Sequence, residues 1–301
     1  MIRVRPAAAA LLATLLLGGC VSHSGRVAGE AQPTPQTRDF RLQENVAYVG
    51  DDWPERLRGD LYRPAGAGPF PGVLLVHGGG WARGEPDDMA DIAERLARRG
   101  FLVVNVGYRF APDTVFPGQI HDLQMALRWL RDNADRLSLD PASIGGMGYS
   151  AGAHLVALLG MVEVGDELDQ PHGGPDTRLQ AVVAGGTPTD LRKFEGGTLV
   201  PQFLGTSRED GPEIYARASP VTHIHEQAPP VFLYHGGLDM LVPPDHAEDM
   251  KAALDAAGVP AELYLVRGLG HVALFLADRG AVAAGIDFLD RTLRGSAVSV
   301  R

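Results

Sequence analysis

The sequence predicts one α/β domain: a mostly parallel central sheet with helices on both faces and a small cap. Three observations carry this reading. Short, predominantly apolar runs at Val73–Val76, Phe101–Val106, Ile144–Tyr149, Ala181–Ala184 and Val231–Tyr234 lack the alternation of a half-exposed strand, so they read as strands covered on both faces. Between them lie segments with helical apolar spacing, such as Met89, Ile92, Ala93, Leu96 and Ala97. Strands that alternate with helices in this way pair in parallel through right-handed crossovers. Third, one strand-to-helix joint is a glycine-flanked serine, Gly148-Tyr149-Ser150-Ala151-Gly152, followed at once by an alanine- and leucine-rich helix. The chain of 301 residues has the length for one large domain, and it shows no internal repeat.

The N-terminus differs in kind. Arg3 and Arg5 precede an apolar run from Ala7 to Leu17, and Gly18, Gly19 and Cys20 follow. A basic start, a short apolar core and small residues make an export signal over residues 1–19. The core is shorter than the roughly 20 apolar residues that span a bilayer. Leu17-Gly18-Gly19-Cys20 resembles the lipobox of bacterial lipoproteins, which implies cleavage before Cys20 and lipid on its thiol and new amino group. Cys20 is the only cysteine, so an intramolecular disulfide is excluded, and lipidation gives the odd thiol a use. The alternative is an ordinary secretory signal with a chance cysteine. Residues 20–37, rich in Ser, Gly, Pro and Gln, read as a flexible tether to a domain over residues 38–296.

Within that domain, residues 41–48 and 57–62 are short strands around Asp51-Asp52-Trp53-Pro54. The Val73 strand leads to a helix over 87–99 that Gly100 ends. The Phe101 strand leads to a helix over 118–133, marked by Ile120, Leu123, Leu127 and Leu130. After the Ile144 strand and its helix over 151–161 come the Ala181 and Val231 strands, a helix over 244–257, a strand over 261–266 and a last helix over 280–293. Residues 188–218 interrupt the alternation with Pro, Gly and charges, and form either a small cap or a plain surface loop.

A serine held on a tight turn is a nucleophile if a base and an orienting acid reach it. In open α/β sheets such groups gather beyond the carboxyl ends of the strands. Asp239 follows the Val231 strand, and His271 follows the strand over 261–266. The order Ser150, Asp239, His271 is that of a nucleophile-elbow hydrolase. His271 takes the Ser150 proton and Asp239 holds the imidazole. The oxyanion then needs backbone donors. The N–H of Ala151, at the helix start, is one; Gly79 and Gly80, in His77-Gly78-Gly79-Gly80-Trp81 after the Val73 strand, are the others. His77 itself braces that loop. Asp190 is a second candidate acid. His154, His223 and His225 read as packing or surface residues, and Asp122 as a partner for Arg109. Trp81, Phe110 and Phe203 are pocket or core aromatics.

Together these residues make the chain similar to the α/β-hydrolase esterases, specifically the bacterial acetyl-esterase and hormone-sensitive-lipase-like group and its feruloyl- and acetylxylan-esterase relatives. The resemblance rests on the His77–Trp81 segment, Tyr108-Arg109-Phe110-Ala111-Pro112, Phe116-Pro117, Asp122, Gly148–Gly152, His235–Asp239, Val242-Pro243 and His271. It implies a cofactor-free serine carboxylesterase acting on small or short-chain acyl esters, with carbohydrate esters among them. Tyr149 stands where hormone-sensitive-lipase relatives carry Asp before the serine. Ala153 replaces a glycine, and Val272-Ala273 replaces Gly-Phe after the histidine; these departures point to the feruloyl-esterase-like branch. His-Gly-Gly-x-Trp also resembles the oxyanion segment of arylformamidases, so amide hydrolysis on the same three residues is the alternative. A non-catalytic hydrolase-fold binding protein is disfavoured by the completeness of the set.

Composition narrows the partners. A formal net charge of -10 with no basic run argues against nucleic acid as a partner; the expected partner is a small-molecule ester, with the membrane reached by the lipid anchor alone. No Cys/His cluster and no His-Glu-x-x-His is present, so no metal site is expected.

Overall fold

The computed structural model of the protein describes residues 21–25, 38–277 and 279–295. Nine strands form one sheet: β1 (Val21–Ser24), β2 (Phe40–Ala47), β3 (Arg58–Pro64), β4 (Phe70–Val76), β5 (Leu102–Val106), β6 (Leu139–Tyr149), β7 (Ala181–Gly185), β8 (Val231–Gly236) and β9 (Ala261–Val266). Their order is β1-β9-β8-β7-β6-β4-β5-β3-β2. The six strands from β4 to β9 run parallel, β3 and β1 run against them, and the edge strand β2 pairs antiparallel with β3. This is the predicted mostly parallel sheet.

Register decides where a site can form. Val76 stands opposite both Val106 and Gly148, Tyr149 opposite Gly185, Gly185 opposite Tyr234, and Gly236 opposite Val266. The strands therefore finish together, and the segments after β4, β6, β8 and β9 leave the sheet at one end.

Alternate residues of each buried strand feed two apolar layers. Leu74 and Val76 of β4 pack with α2 (Gly118–Asp132), α3 (Ala151–Met161) and α6 (Asp245–Ala256). Val73 and Leu75 pack with α1 (Ala90–Arg98) and α8 (Arg279–Gly295). Every residue of α3 is buried, which explains its lack of a polar face: it lies between the sheet and the segments that cross over it. Residues 188–218 carry two short helices, α4 (Leu199–Leu204) and α5 (Pro212–Arg217). A further helix, α7 (His271–Ala277), starts directly at His271, in a stretch to which the sequence pattern assigns no element.

One expectation is corrected. The tether assigned to residues 20–37 does not hold at Val21–Ser24, which pair with β9 from Val21 opposite Val266 to Ser24 opposite Leu263. Without a neighbour, β9 would present a row of unpaired backbone groups. His23 adds side-chain reasons: its Nε2 lies 2.8 Å from Oε2 of the buried Glu262, and its ring meets Phe232 and Tyr264 edge-on. Four residues with Ser and His carry no strand pattern, so the pairing is a tertiary effect. The signal over 1–19, Cys20 and residues 26–37 of the tether lie outside the described residues.

Two buried histidines bind the upper layer. His154 in α3 accepts the Trp81 indole N–H at Nδ1 (3.2 Å) and donates from Nε2 to the Ala218 carbonyl (2.7 Å). His246 in α6 lies under the Phe194 ring and accepts the Asp190 N–H at 3.3 Å. Burial lowers the pKa of each to about 4. An unfolded histidine takes its proton near about 6.5, so these two stabilise the fold fully above that pH. Their contribution is lost as pH falls from about 6.5 towards 4, where the unfolded state alone gains protons. The urea midpoint should accordingly drop across that window, and His246→Gln should reduce the slope by about one proton's worth. An unchanged slope would assign the pH dependence to other groups.

Candidate active site

The serine turn is built by close packing. Ser150 follows the last residue of β6 and precedes the first of α3, with φ 53° and ψ -121°. Such a conformation costs a non-glycine residue about 1–3 kcal/mol and persists only where the surroundings over-determine it. Here they do. A Cβ on Gly148 would come within 2.5 Å of the Gly152 backbone, and one on Gly152 within 2.2 Å of the Val76 oxygen. Only glycine at both positions lets α3 leave the sheet so sharply. The Ser150 N–H donates to the Gly185 oxygen at 2.7 Å, which ties the turn to the end of β7.

The predicted partners converge on this serine. His271 Nε2 lies 2.8 Å from Ser150 Oγ, and His271 Nδ1 lies 2.6 Å from Asp239 Oδ2. Asp239 is almost fully buried. Burial raises its pKa, but contacts from His235 and His271 and the Val242 N–H outweigh this and hold it well below the usual carboxylate range. Its other oxygen accepts the N–H groups of Leu241 (3.0 Å) and Val242 (2.8 Å). An ionised Asp239 fixes the His271 proton on Nδ1 and leaves the Nε2 lone pair facing the serine hydroxyl. The arrangement can therefore draw the proton from Ser150.

Two supports were not foreseen in the sequence. The Tyr149 hydroxyl donates to the His271 carbonyl at 2.5 Å, and the two rings lie 5.2 Å apart. Burial raises the Tyr149 pKa far above the normal phenol range, so it remains a donor. His235, four residues before Asp239, places Nε2 3.4 Å from Asp239 Oδ2 and 2.8 Å from the Val242 carbonyl. Neither contact has a sequence signature beyond proximity to the motif.

The glycine loop after β4 borders the same space. Gly79 (φ 107°), Gly80 (φ 62°) and Trp81 (φ 59°) turn the backbone with positive φ. Gly79, Gly80 and Ala151 line one cavity of about 490 Å³ together with Ser150 and His271. Ala151 is the first residue of α3, so its N–H has no partner within the helix. The loop is braced from behind. His77 Nδ1 bonds the Gly78 oxygen at 2.8 Å, and its ring stacks on Tyr108 at 4.6 Å. The Tyr108 hydroxyl donates to the carbonyls of His77 and Gly78 at 3.2 and 3.3 Å. Burial lowers the His77 pKa, in keeping with a neutral brace. Trp81 stacks on Phe203 at 4.5 Å, a contact worth about 0.5–1.5 kcal/mol beyond burial.

The remaining cavity walls are largely apolar: Leu199 and Val200 from α4, Leu241 and Val242 after β8, and Val272 and Phe275 from α7. Residues 188–218 thus supply one wall. Among the three aromatic candidates, Trp81 reaches the cavity; Phe203 is core behind it, and Phe110 packs edge-on against His77 and Tyr108.

The other candidates lie elsewhere. Asp190 is held by Arg192 at 2.8 Å and does not meet His271. His223 and His225 pair with Asp166 and Glu163, each at 3.2 Å. Asp122 receives the Arg109 backbone N–H (2.9 Å), its guanidinium (2.7 Å) and the Trp53 indole N–H (2.9 Å), which fixes the turn after β5. Among the described residues no cluster of His, Cys, Asp and Glu could hold a metal ion.

Known proteins resemble the chain in sequence and fold. The chain is 31% identical to the esterase LipQ of Mycobacterium tuberculosis over 85% of its own length and 64% of LipQ's. It spans 54% and 53% of two further relatives from that organism, a probable carboxylic ester hydrolase LipM and the esterase LipC. A truncated carbohydrate esterase from gut microbiota superposes with TM-score 0.75 at 24% identity, covering 90% of this chain and 100% of that one, a likeness of fold. Thermogutta terrifontis esterase 2 superposes with TM-score 0.70 at 25% identity, covering 88% and 97%. The BD-FAE family model matches residues 60–254, from β3 into α6, and the chain accordingly belongs to that family of α/β-hydrolase-fold proteins.

Proposed function

We propose that the protein is a serine carboxylesterase that hydrolyses small or short-chain acyl esters through an acyl-enzyme on Ser150. One observation carries this: an unbroken hydrogen-bonded line from Asp239 through His271 to Ser150 that ends at a largely apolar cavity. The names of the relatives LipQ, LipM and LipC, esterases and a probable carboxylic ester hydrolase, lend it support.

In the proposed reaction Ser150 Oγ attacks the ester carbonyl carbon as its proton passes to His271 Nε2. Negative charge gathers on the carbonyl oxygen, where the N–H groups of Gly79, Gly80 and Ala151 receive it, each worth roughly 3 kcal/mol. Collapse breaks the carbon–oxygen bond, and His271 returns the proton to the leaving alcohol. Water then attacks the acyl-serine, gives its proton to His271, and the acid departs as Ser150 is reprotonated. Asp239 stays ionised throughout and stabilises the imidazolium. No cofactor enters. The apolar walls at Leu199, Leu241 and Val272 favour an acyl group over a charged one, and the exposed Arg83 and Asp88 at the border of the cavity suit a polar alcohol such as a sugar.

We also infer that the protein is exported and held at the membrane by lipid on Cys20, from the Leu17–Cys20 segment and the basic, apolar leader before it. Membrane-associated protein should then carry a diacylated Cys20 by mass spectrometry; a soluble product cut elsewhere would remove the anchor.

A fluorophosphonate should label Ser150, and Ser150→Ala should lose at least about 10³-fold in kcat on p-nitrophenyl acetate, with the fold intact by circular dichroism. Labelling at another residue would overturn the nucleophile. Asp239→Asn should cost about 10⁴-fold in kcat because the imidazole tautomer is no longer held, whereas Asp190→Asn should stay within about threefold. The reverse ranking would move the acid to Asp190.

A further inference from the structure

We propose that the carboxyl-terminal end of the sheet, where the cavity opens, is a membrane-facing surface, and that its partner is a lipid bilayer. The proposal rests on the anchoring and esterase readings above and deepens both. Its first support is the register of β1. Val21 stands opposite Val266, the last residue of β9, and Gly236 of β8 stands opposite that same residue. The chain therefore enters the sheet at the end where Asp239 and His271 leave it. Cys20 is joined to Val21 by one peptide unit, a Cα–Cα reach of about 3.8 Å. An anchor at Cys20 holds this end of the domain against the membrane with no spacer.

The second support is what stands exposed there. The segment after β8 presents Leu238, Met240 and Leu241, of which Met240 is 92% exposed. Helix α7 presents Val272 and Leu276, four residues apart on one helix face. Residues 240–243 and 272–277 contain no ionisable side chain at all. The segment after β8 is tied to the turn that leads into α7: the Leu238 N–H donates to the Leu269 carbonyl and the Gly237 N–H to the Val266 carbonyl. Large apolar side chains grouped in this way around a site mouth mark an interaction surface. Arg267, exposed between β9 and α7, has its backbone beside Gly237 in the segment after β8, and its guanidinium suits a lipid phosphate. Elsewhere the protein is acidic, with net charge -10, so this patch contrasts with a surface that keeps away from anionic lipid.

The chemistry of the partner follows. Apolar side chains enter a bilayer to about 5–10 Å, the depth of the headgroup–acyl boundary. Ester carbonyls of amphiphiles lie at that boundary. Leu241 and Val272 belong both to the patch and to the cavity wall, so the short acyl group of a membrane-embedded ester can reach the cavity without crossing water. The favoured substrates are amphiphilic esters presented in a membrane.

The test uses the full mature chain, with Cys20 acylated, in phosphatidylcholine vesicles. Met240 and Leu276 are exposed and outside the cavity wall, so their replacement leaves hydrolysis of soluble p-nitrophenyl acetate unchanged. The double change Met240→Glu and Leu276→Glu should lower hydrolysis of a short-chain acyl ester of a long-chain alcohol embedded in the same vesicles by about tenfold, through lost apolar insertion. Met240→Cys labelled with an environment-sensitive fluorophore should shift to the blue on addition of vesicles. Equal activity on both substrates in the double variant, with an unshifted fluorophore on protein that is vesicle-bound, overturns the proposal. A fluorophore already blue-shifted before vesicles are added also overturns it, because another part of the chain then covers the patch. Failure of the anchor reading is separate: wild-type protein without acyl mass on Cys20 would show it whatever the fluorophore reports.

Discussion

The approach of α3 to the sheet at Gly148 and Gly152 is the constraint on which the rest depends. A methyl group at either position would overlap backbone atoms of the opposite element. With both positions bare, the chain reverses within one residue and holds Ser150 in a positive-φ conformation. The cost of that conformation is offset by the burial of every residue of α3 and by the bond from the Ser150 N–H to β7. Because β4, β6, β8 and β9 end in register, a serine lifted at the tip of β6 meets groups carried after each of the others. The site is a product of sheet register as much as of its own side chains.

A second layer keeps this geometry fixed. Trp81, in the glycine loop, donates to His154 in α3, and His154 donates to Ala218 at the end of the segment that walls the cavity. One neutral imidazole thus joins the loop, the elbow helix and the wall. Below the other side of the site, Tyr149 grips the His271 carbonyl, and Asp239 is caged by two backbone N–H groups and two histidines. Each of these braces uses a group that burial would penalise if it were unpaired.

The alternation of apolar runs and helical segments was enough to read the parallel core, and α3 and β9 match their expected limits to the residue. Ser150, Asp239 and His271 were legible because the strands that precede them are strongly apolar and catalytic groups follow such strands. What was hidden depends on contacts that sequence patterns do not encode. Helix α7 begins at His271 with the apolar stretch Val272–Ala277, and shows no polar periodicity. The Tyr149–His271 bond spans 122 positions and depends on where α7 lies. The strand at Val21 has a composition suited to a linker, and only the bare edge of β9 turns it into sheet.

That edge strand also has a bearing on how the domain comes together. His23 and Glu262 are 239 positions apart, so β1 cannot dock until nearly the whole chain has been made. Loop closure over such a distance is among the last contacts to repay its entropy. The eight strands from β2 to β9 thus form a sheet that can assemble first, with β9 as an open flank until the N-terminal residues arrive. The first of the described strands in sequence is thus the last that can join the sheet.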